Sequence, residues 1–412
     1  MIADRFTEDN PMRPVAVLFR RIGPYHVARI SSAARRFPTI AVELTSVDRI
    51  YAWNPVVAPE LLRVTVFQDE ADASPRSLLA QRIAQVLNGI QPRAVAIPGW
   101  STPFALAALR WCGASCTPAI LMSESQADEG NRSWRAEIVK RRLVCLFSAA
   151  LAGGAPHAAY LRQLGMADGQ VFLGYDVVDN EHFAKGAATA RADAADNRRL
   201  LGLPENYFLA SSRFVEKKNL LRLLQAFARF RALTPGSGWK LVLLGDGPLK
   251  ADILTLAAKL SLGDDLLLPG FVQYGQLPAY YGLASAFAHA STVEQWGLVV
   301  NEAMAAGLPV LVSNRCGCSA DLVRDGVNGF TFDPLDAETL AGLMAKVASS
   351  GDSRLRMGEA SRRIVAEWPV DRFGEGLDQA VRVASAVRRP RLADAALLHM
   401  LIMARPLAPS RS

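Results

Sequence analysis

Ser291-Thr292-Val293-Glu294-Gln295-Trp296-Gly297-Leu298-Val299-Val300-Asn301-Glu302-Ala303-Met304-Ala305-Ala306-Gly307-Leu308-Pro309-Val310 is the stretch from which the fold is read. Two carboxylates, Glu294 and Glu302, with seven residues between them, bracket Gly297. The residues before it, 285–290, are small and apolar, as at the end of a buried strand. Val300, Ala303, Met304 and Gly307 recur at helical spacing, so a helix opens near Gly297 or Leu298. Gly307 and Pro309 stop that helix, and 308–312 read as the next strand. Glu294 therefore falls in a strand-to-helix loop and Glu302 about one turn inside the helix.

The first amides of a helix have no partner within it, and the helix dipole adds positive potential there. Gly297, Leu298 and Val299 thus offer N–H groups to a phosphate, and Gly297 lets it come close to the backbone. Glu294 on one side and Glu302 on the other can accept hydrogen bonds from the hydroxyls of a sugar and a ribose. The plain alternative is a surface glutamate and an ordinary helix glutamate; the agreement of glycine, flanking strands and small-residue helix favours a site for a sugar nucleotide.

The rest of the chain fits a large α/β protein. A length of 412 residues allows two or three domains. Half of the residues are hydrophobic and 21% are charged, a globular balance. Strand candidates at 14–20, 39–44, 62–67, 94–98, 119–123, 147–154 and 170–174 alternate with helix candidates at 27–36, 76–88, 103–111, 133–144 and from 156. The alternation restarts with strands at 207–211, 240–244 and 266–268 and helices at 218–231, 248–260 and 277–284. Helices at 337–347 and 353–367 close the second half. This pattern argues for parallel sheets covered on both faces. The expected domains are 1–180, a linker at 181–204, 205–370, and a tail at 371–412; within the linker, 185–199 reads as loose chain or as a surface helix.

The five cysteines are odd in number and lack metal-site spacing, which argues for reduced structural thiols. No apolar run reaches the ~18 residues of a membrane span. Met1-Ile2-Ala3-Asp4-Arg5 opens no signal-peptide core, so a cytoplasmic protein is expected. The net charge is +7, with six Arg and one Asp between Arg382 and Ser412. No helix-turn-helix or basic-aromatic pattern accompanies that charge, so nucleic acid is not an expected partner.

The Glu-x7-Glu run followed by Ala-Met-Ala-x-Gly-x-Pro-Val resembles the donor-site signature of retaining family 4 glycosyltransferases of the GT-B fold. The resemblance is specific over about 208–334 and architectural over the first half. It implies two Rossmann-like domains facing across a cleft, the second holding the nucleotide. It also implies a C-terminal helix, here within 368–387, that returns to the first domain. The implied activity is transfer of a sugar from a nucleotide-diphosphate sugar to a carbohydrate or lipid-linked acceptor, as in polysaccharide or glycolipid assembly. A catalytically silent sugar-nucleotide-binding scaffold and a GT-B-like phosphorylase are the alternatives.

Other residues take roles within that resemblance. Arg213 and Lys218, in Ser212-Arg213-Phe214-Val215-Glu216-Lys217-Lys218, match the Arg-x4-Lys pair that neutralises the donor diphosphate. Two fixed cations are also what a leaving diphosphate requires. Leu244-Gly245-Asp246-Gly247-Pro248 lacks the third glycine of a dinucleotide fingerprint. Gly245 there, with Phe271 and Val272 after Gly270, resembles the turns that meet the donor, and a simple tight turn fits equally. Gly23, after the first strand, fits the loop that approaches the donor from the first domain. His26 and His157 are open to two readings, a ligand contact or a local structural bond. The His that the family often places after a first-domain strand is missing, and Glu124 stands there instead. With no Asp-x-Asp motif, neither a metal nor another cofactor is expected. The apolar segment 392–404, flanked by Arg388, Arg389, Arg391 and Arg405, reads as a peripheral foot on an anionic membrane at its inner face, as a helix packed on the first domain, or as a frayed tail.

Overall fold

The computed structural model describes residues 13–46, 54, 56, 58–68, 76–127, 133–384 and 392–403. The chain divides into two compact units. One takes the residues up to Val177 and those from Val370 onward, and the other runs from Val178 to Pro369.

In the first unit, β1 (Val15–Phe19), α1 (Pro24–Ala34), β2 (Thr39–Thr45), β3 (Arg63–Phe67), α2 (Arg76–Ile90), β4 (Ala94–Pro98), α3 (Pro103–Ser115), β5 (Ala119–Ser123), α4 (Trp134–Val144), β6 (Ala149–Ala152), α5 (Ala155–Gln163) and β7 (Val171–Leu173) follow in turn. The sheet order is β3-β2-β1-β4-β5-β6-β7, and every pair is parallel. The strands are near-continuous apolar runs because helices cover both faces. The core gathers Leu18, Val42, Ile97, Leu121 and Phe104.

The second unit carries α6 (Asn180–Ala192), α7 (Ala194–Leu201), β8 (Tyr207–Ser211), α8 (Leu220–Leu233), β9 (Lys240–Leu244), α9 (Lys250–Lys259), β10 (Leu266–Gly270), α10 (Leu277–Leu283), β11 (Ala286–His289), α11 (Leu298–Ala305), β12 (Val310–Ser313), α12 (Ser319–Leu322), β13 (Gly329–Phe332), α13 (Ala337–Ala348) and α14 (Gly351–Val365). Its parallel sheet has the order β10-β9-β8-β11-β12-β13. Phe208 anchors one side of this core, with Trp239 at 4.5 Å and Phe230 edge-on at 5.2 Å between ring centroids. The stretch read as a linker is not loose chain. It forms α6 and α7, and α6 buries Phe183, Ala187 and Ala190. Of the two readings of 185–199, the helical one holds, with one narrow packing face.

After Pro369 the chain rejoins the first unit through α15 (Asp371–Val383), as the returning helix was expected to do. Gly374 N donates to Ser32 Oγ at 3.0 Å, fixing α15 on α1, and Arg36 bonds Glu375 at 2.6 Å. The last described helix is α16 (Leu392–Met403). It packs on α3 and buries Leu397 and Leu398. Of the three readings of this segment, its apolar face takes the packed one. Arg388, Arg389, Arg391 and Arg405 lie outside the described residues. Among the described residues no helix is long and apolar enough to cross a membrane.

Both sheets reverse their strand order once. In an open parallel sheet, loops leaving the carboxyl ends of the two strands at that reversal diverge and leave a crevice where ligands bind. In the second unit the reversal lies between β8 and β11. The loop after β8 carries Arg213 and Lys218, and the loop after β11 carries Glu294.

Candidate functional site

Three loops are tied together at that crevice. Thr292 N donates to Lys217 O at 2.8 Å, and Asn219 Nδ2 donates to Ala290 O at 3.0 Å and to Pro334 O at 2.7 Å. Gly317 N donates to Glu294 O and Cys318 N to Trp296 O, each at 3.1 Å. Trp296 is buried; its Nε1 donates to Asn301 Oδ1 at 2.9 Å, and its ring lies 5.1 Å from that of Trp368. The loop 291–297 is thereby held on both edges.

Lys218 does not open a helix, as its sequence position predicts. It closes a 3-10 turn, Glu216–Lys218, and Asn219 follows in the left-handed region at φ 56°, so α8 begins only at Leu220. This turn aims the Lys218 ammonium at Glu294 Oε2, with which it forms an ion pair. The same oxygen meets His289 Nε2 at 3.0 Å and accepts from Ser291 Oγ at 3.1 Å. Burial alone pushes the Glu294 carboxyl up. The Lys218 charge and the His289 bond outweigh burial and hold it well below the usual carboxylate range. Burial lowers the pKa of His289, against the opposing pull of Glu294. A neutral imidazole facing a carboxylate carries its proton on the facing nitrogen, so His289 Nε2–H donates to Glu294. His289 and Ser291 were not singled out from the sequence. The signal was present in His289-Ala290-Ser291, two polar side chains on the same side of a strand end as Glu294.

Gly297 sits at φ 102°, a conformation strained for any residue with a Cβ, and it turns the chain into α11. A Cβ there would meet only ordinary contacts, the nearest being Glu294 Cγ at 3.4 Å, so the requirement is conformational. Gly297, Leu298 and Val299 lead into the helix as predicted, and their amides precede its first internal bonds. At the other end of α11, Ala306 O accepts from Arg191 Nη2 at 2.7 Å and Arg362 Nη2 at 3.4 Å.

Glu302 lies about one turn inside α11, where the sequence places it. It is fully buried, and its Oε2 accepts from the Tyr281 hydroxyl at 2.7 Å. Burial, followed by the Glu302 charge, raises the Tyr281 pKa well above normal, which keeps that hydroxyl a donor. The carboxylate expected to face a ribose is thus engaged with α10 in this state. An aromatic row runs beside it: Tyr274 stacks on His182 at 4.4 Å, and Phe183 meets Tyr274 and Tyr281 edge-on at 5.5 and 5.8 Å.

Gly245 has a backbone role. A Cβ there would fall 1.9 Å from Ser212 O. Gly245 N donates to Gly270 O at 2.8 Å, Ser212 N to Leu244 O at 3.0 Å and Phe214 N to Asp246 O at 2.8 Å. The glycine lets this strand-end loop lie against the one that carries Arg213. Arg213 follows it, half-buried. Phe271 is 37% exposed beside a buried Val272, an apolar ring presented outward at the end of β10.

In the first unit the two histidines are helix caps. Gly23 N donates to His26 Nδ1 at 3.0 Å, and Gly154 N to His157 Nδ1 at 3.1 Å. Each His sits three residues after a capping glycine, the spacing of a capping box. His26 also packs on Phe19 at 4.3 Å between ring centroids. Burial first, then the charges of Arg29 and Arg21, pushes the His26 pKa down to about 3. This ring is neutral, and its Nδ1 is committed to the cap. Glu124, where the family's histidine is missing, is half-buried and hydrogen-bonds Asp176. Two carboxyls in contact share a proton. Burial and Glu124 raise the Asp176 pKa well above normal, and the buried Arg29 lies 3.5 Å from it. Asp176 and Arg29 went unnoticed in the sequence because they lie far from Glu124 along the chain. Among the described residues no group of three or more His, Cys, Asp or Glu side chains could hold a metal ion.

Known proteins place this geometry. Residues 193–364 match the family described as glycosyl transferases group 1. The GDP-mannose-dependent alpha-(1-6)-phosphatidylinositol monomannoside mannosyltransferase of Mycobacterium tuberculosis is 30% identical over 219 residues, covering 51% of this chain and 55% of that protein. The alpha-monoglucosyldiacylglycerol synthase of Acholeplasma laidlawii is 33% identical over 135 residues, 32% of this chain and 33% of that protein. The chain thus spans about half the length, or less, of the curated relatives it matches. Sucrose-phosphate synthase of Thermosynechococcus elongatus superposes with a TM-score of 0.70 at 18% identity, over 90% of this chain and 98% of that one. HepE of Anabaena, solved in complex with UDP and glucose, does so with 0.71 at 17%, over 90% and 99%. The architecture is GT-B, and within it residues 193–364 carry the match to the group 1 glycosyl transferases.

Proposed function

We propose that this chain is a retaining glycosyltransferase that moves a sugar from a nucleotide-diphosphate sugar to an acceptor hydroxyl, in polysaccharide or glycolipid assembly. The observation that carries this reading is the Glu294 carboxylate, held ionised by Lys218, His289 and Ser291 beside the amino end of α11. An ionised acceptor next to partnerless amides and a cation suits a ligand with hydroxyls at one end and phosphates at the other.

In this reading Glu294 accepts hydrogen bonds from the donor sugar, and the amides at Gly297–Val299 take phosphate or sugar oxygens. Arg213 and Lys218 neutralise the diphosphate as its charge grows. Phe271 and Val272 border the base, and Gly245 keeps their loop in place. Glu302 takes the ribose after exchanging its bond to Tyr281. In the first unit Gly23 and Glu124 are the candidates for contacts to donor and acceptor. The bond from the anomeric carbon to the diphosphate oxygen breaks, and a bond to the acceptor oxygen forms on the same face. The acceptor proton passes to the departing phosphate. Charge is supplied by side chains and amides, so turnover is expected to survive a chelator.

The relatives' names include phosphatidylinositol monomannoside and monoglucosyldiacylglycerol, which supports a lipid-linked or carbohydrate acceptor and, with it, peripheral contact with an anionic membrane. Incubation of the purified chain with a panel of nucleotide sugars tests the reading. Slow hydrolysis of one donor, unchanged by EDTA, is the expected result. Binding without turnover marks a silent scaffold, and neither binding nor hydrolysis removes the proposal.

A further inference from the structure

The described part of the first unit exposes four large hydrophobic side chains, Trp134, Ile138, Val383 and Met400. Two of them share α4, where Trp134 is 69% and Ile138 51% exposed. They are four residues apart and so lie on one face of the helix. The opposite side of α4 is committed to the unit's core through Leu143 and Val144. Its one carboxylate, Glu137, is turned to Lys140 at 2.8 Å and to the Tyr160 hydroxyl. The outward side therefore carries Trp134 and Ile138 with Arg135, Arg141 and Arg142, all exposed. Arg135 lies over the Trp134 ring at 5.3 Å, and Arg142 binds Asp394 at the start of α16 at 2.9 Å.

We infer that α4 is the surface by which this chain sits on an anionic lipid bilayer, with Trp134 and Ile138 entering the interface and Arg135 and Arg141 meeting lipid phosphates. A tryptophan beside an aliphatic residue, backed by arginines and carried on a helix that keeps its other face in a folded core, matches an interfacial helix in chemistry. Trp favours the headgroup level, where its ring is buried and its N–H stays wet. The apolar segment that the sequence offers for this role, α16, spends Leu397 and Leu398 on the core instead. The inference rests on the proposed function in that a lipid-linked acceptor requires the protein at a bilayer.

Flotation of the full chain with vesicles of phosphatidylglycerol and phosphatidylcholine, against vesicles of phosphatidylcholine alone, tests it. The wild type is expected to float with the anionic vesicles only, and less so as salt rises. Trp134→Ala with Ile138→Ala is expected to weaken partitioning about tenfold or more, and Arg135→Glu with Arg141→Glu to abolish it. Both variants change exposed residues, and their donor hydrolysis in solution should equal the wild type's. Failure of the wild type to float, or equal flotation of the variants, overturns the inference. So does a fall in particle mass in the variants without a change in flotation, which marks the face as a protein contact. Loss of donor hydrolysis in every form, with α4-dependent flotation intact, counts against the proposed function and leaves the docking surface standing.

Discussion

Glu294 Oε2 accepts from an ammonium, an imidazole and a hydroxyl, three donors on one oxygen. These bonds fix the plane of the carboxylate. Removing the cation should therefore do more than subtract a charge. Lys218→Met is expected to lower turnover about 10²–10³-fold, measured as initial rate with saturating donor. His289→Ala should lower kcat with little change in donor KM, and His289→Asn should recover part of the loss, because its amide can still donate to Glu294. A KM effect in place of a kcat effect would move His289 from positioning the carboxylate to binding the donor. His26 offers a pH test in the first unit. Its pKa is lowered from 6.5 to about 3 by burial and nearby arginines, so between those values the unfolded chain holds more protons than the folded one. Its contribution to stability is complete above pH 6.5 and is lost as pH falls toward 3. Melts at stepped pH should show a shallower acid loss for His26→Gln than for the wild type, once their neutral-pH difference is subtracted. The second-unit residues were legible because they fall in two contiguous runs, each a strand end leading to a helix. The Glu124–Asp176–Arg29 cluster was not, because it is assembled from the ends of β5 and β7 and from α1.

At the scale of elements, α11 is fixed at both termini. Gly297 sets its entry, and Arg191 and Arg362 take the carbonyl of Ala306 at its exit. Cations at a helix C-terminus complement its dipole. Arg191→Ala should cost about 1 kcal/mol in the denaturant midpoint of the second unit and weaken nucleotide binding, since the amino end of the helix is displaced with the rest. The loop after β9 is equally constrained. A Cβ at Gly245 would lie 1.9 Å from Ser212 O, so Gly245→Ala forces the Arg213 loop away and should destabilise by more than about 2 kcal/mol. The alternation of strands and helices was readable up to β12, because buried parallel strands are apolar runs of near-constant length, whereas α12 and β13 were not read. What composition left open was the helical pair 180–201, read as linker or surface helix, and what it concealed was the turn at Lys218. The first packs through a single narrow face, and the second depends on Asn219 adopting a left-handed conformation.

Across the whole molecule, each unit is a parallel sheet with one reversal of strand order, and in the second unit Arg213, Lys218 and Glu294 follow the two strands at that reversal. In the second unit β8 and β11 supply the cation and the carboxylate from opposite sides of the reversal. Sheet topology thus accounts for a site whose residues lie 76 positions apart. The claim on which the account rests is that this crevice binds a nucleotide diphosphate through Lys218 and the amino end of α11. Titration calorimetry of UDP, GDP and ADP with the wild type and with Lys218→Met tests it most directly. The account predicts that one of the three binds, and that losing a charge-assisted bond to phosphate weakens it about tenfold or more. Binding of none, or equal affinity in the two proteins, would contradict it.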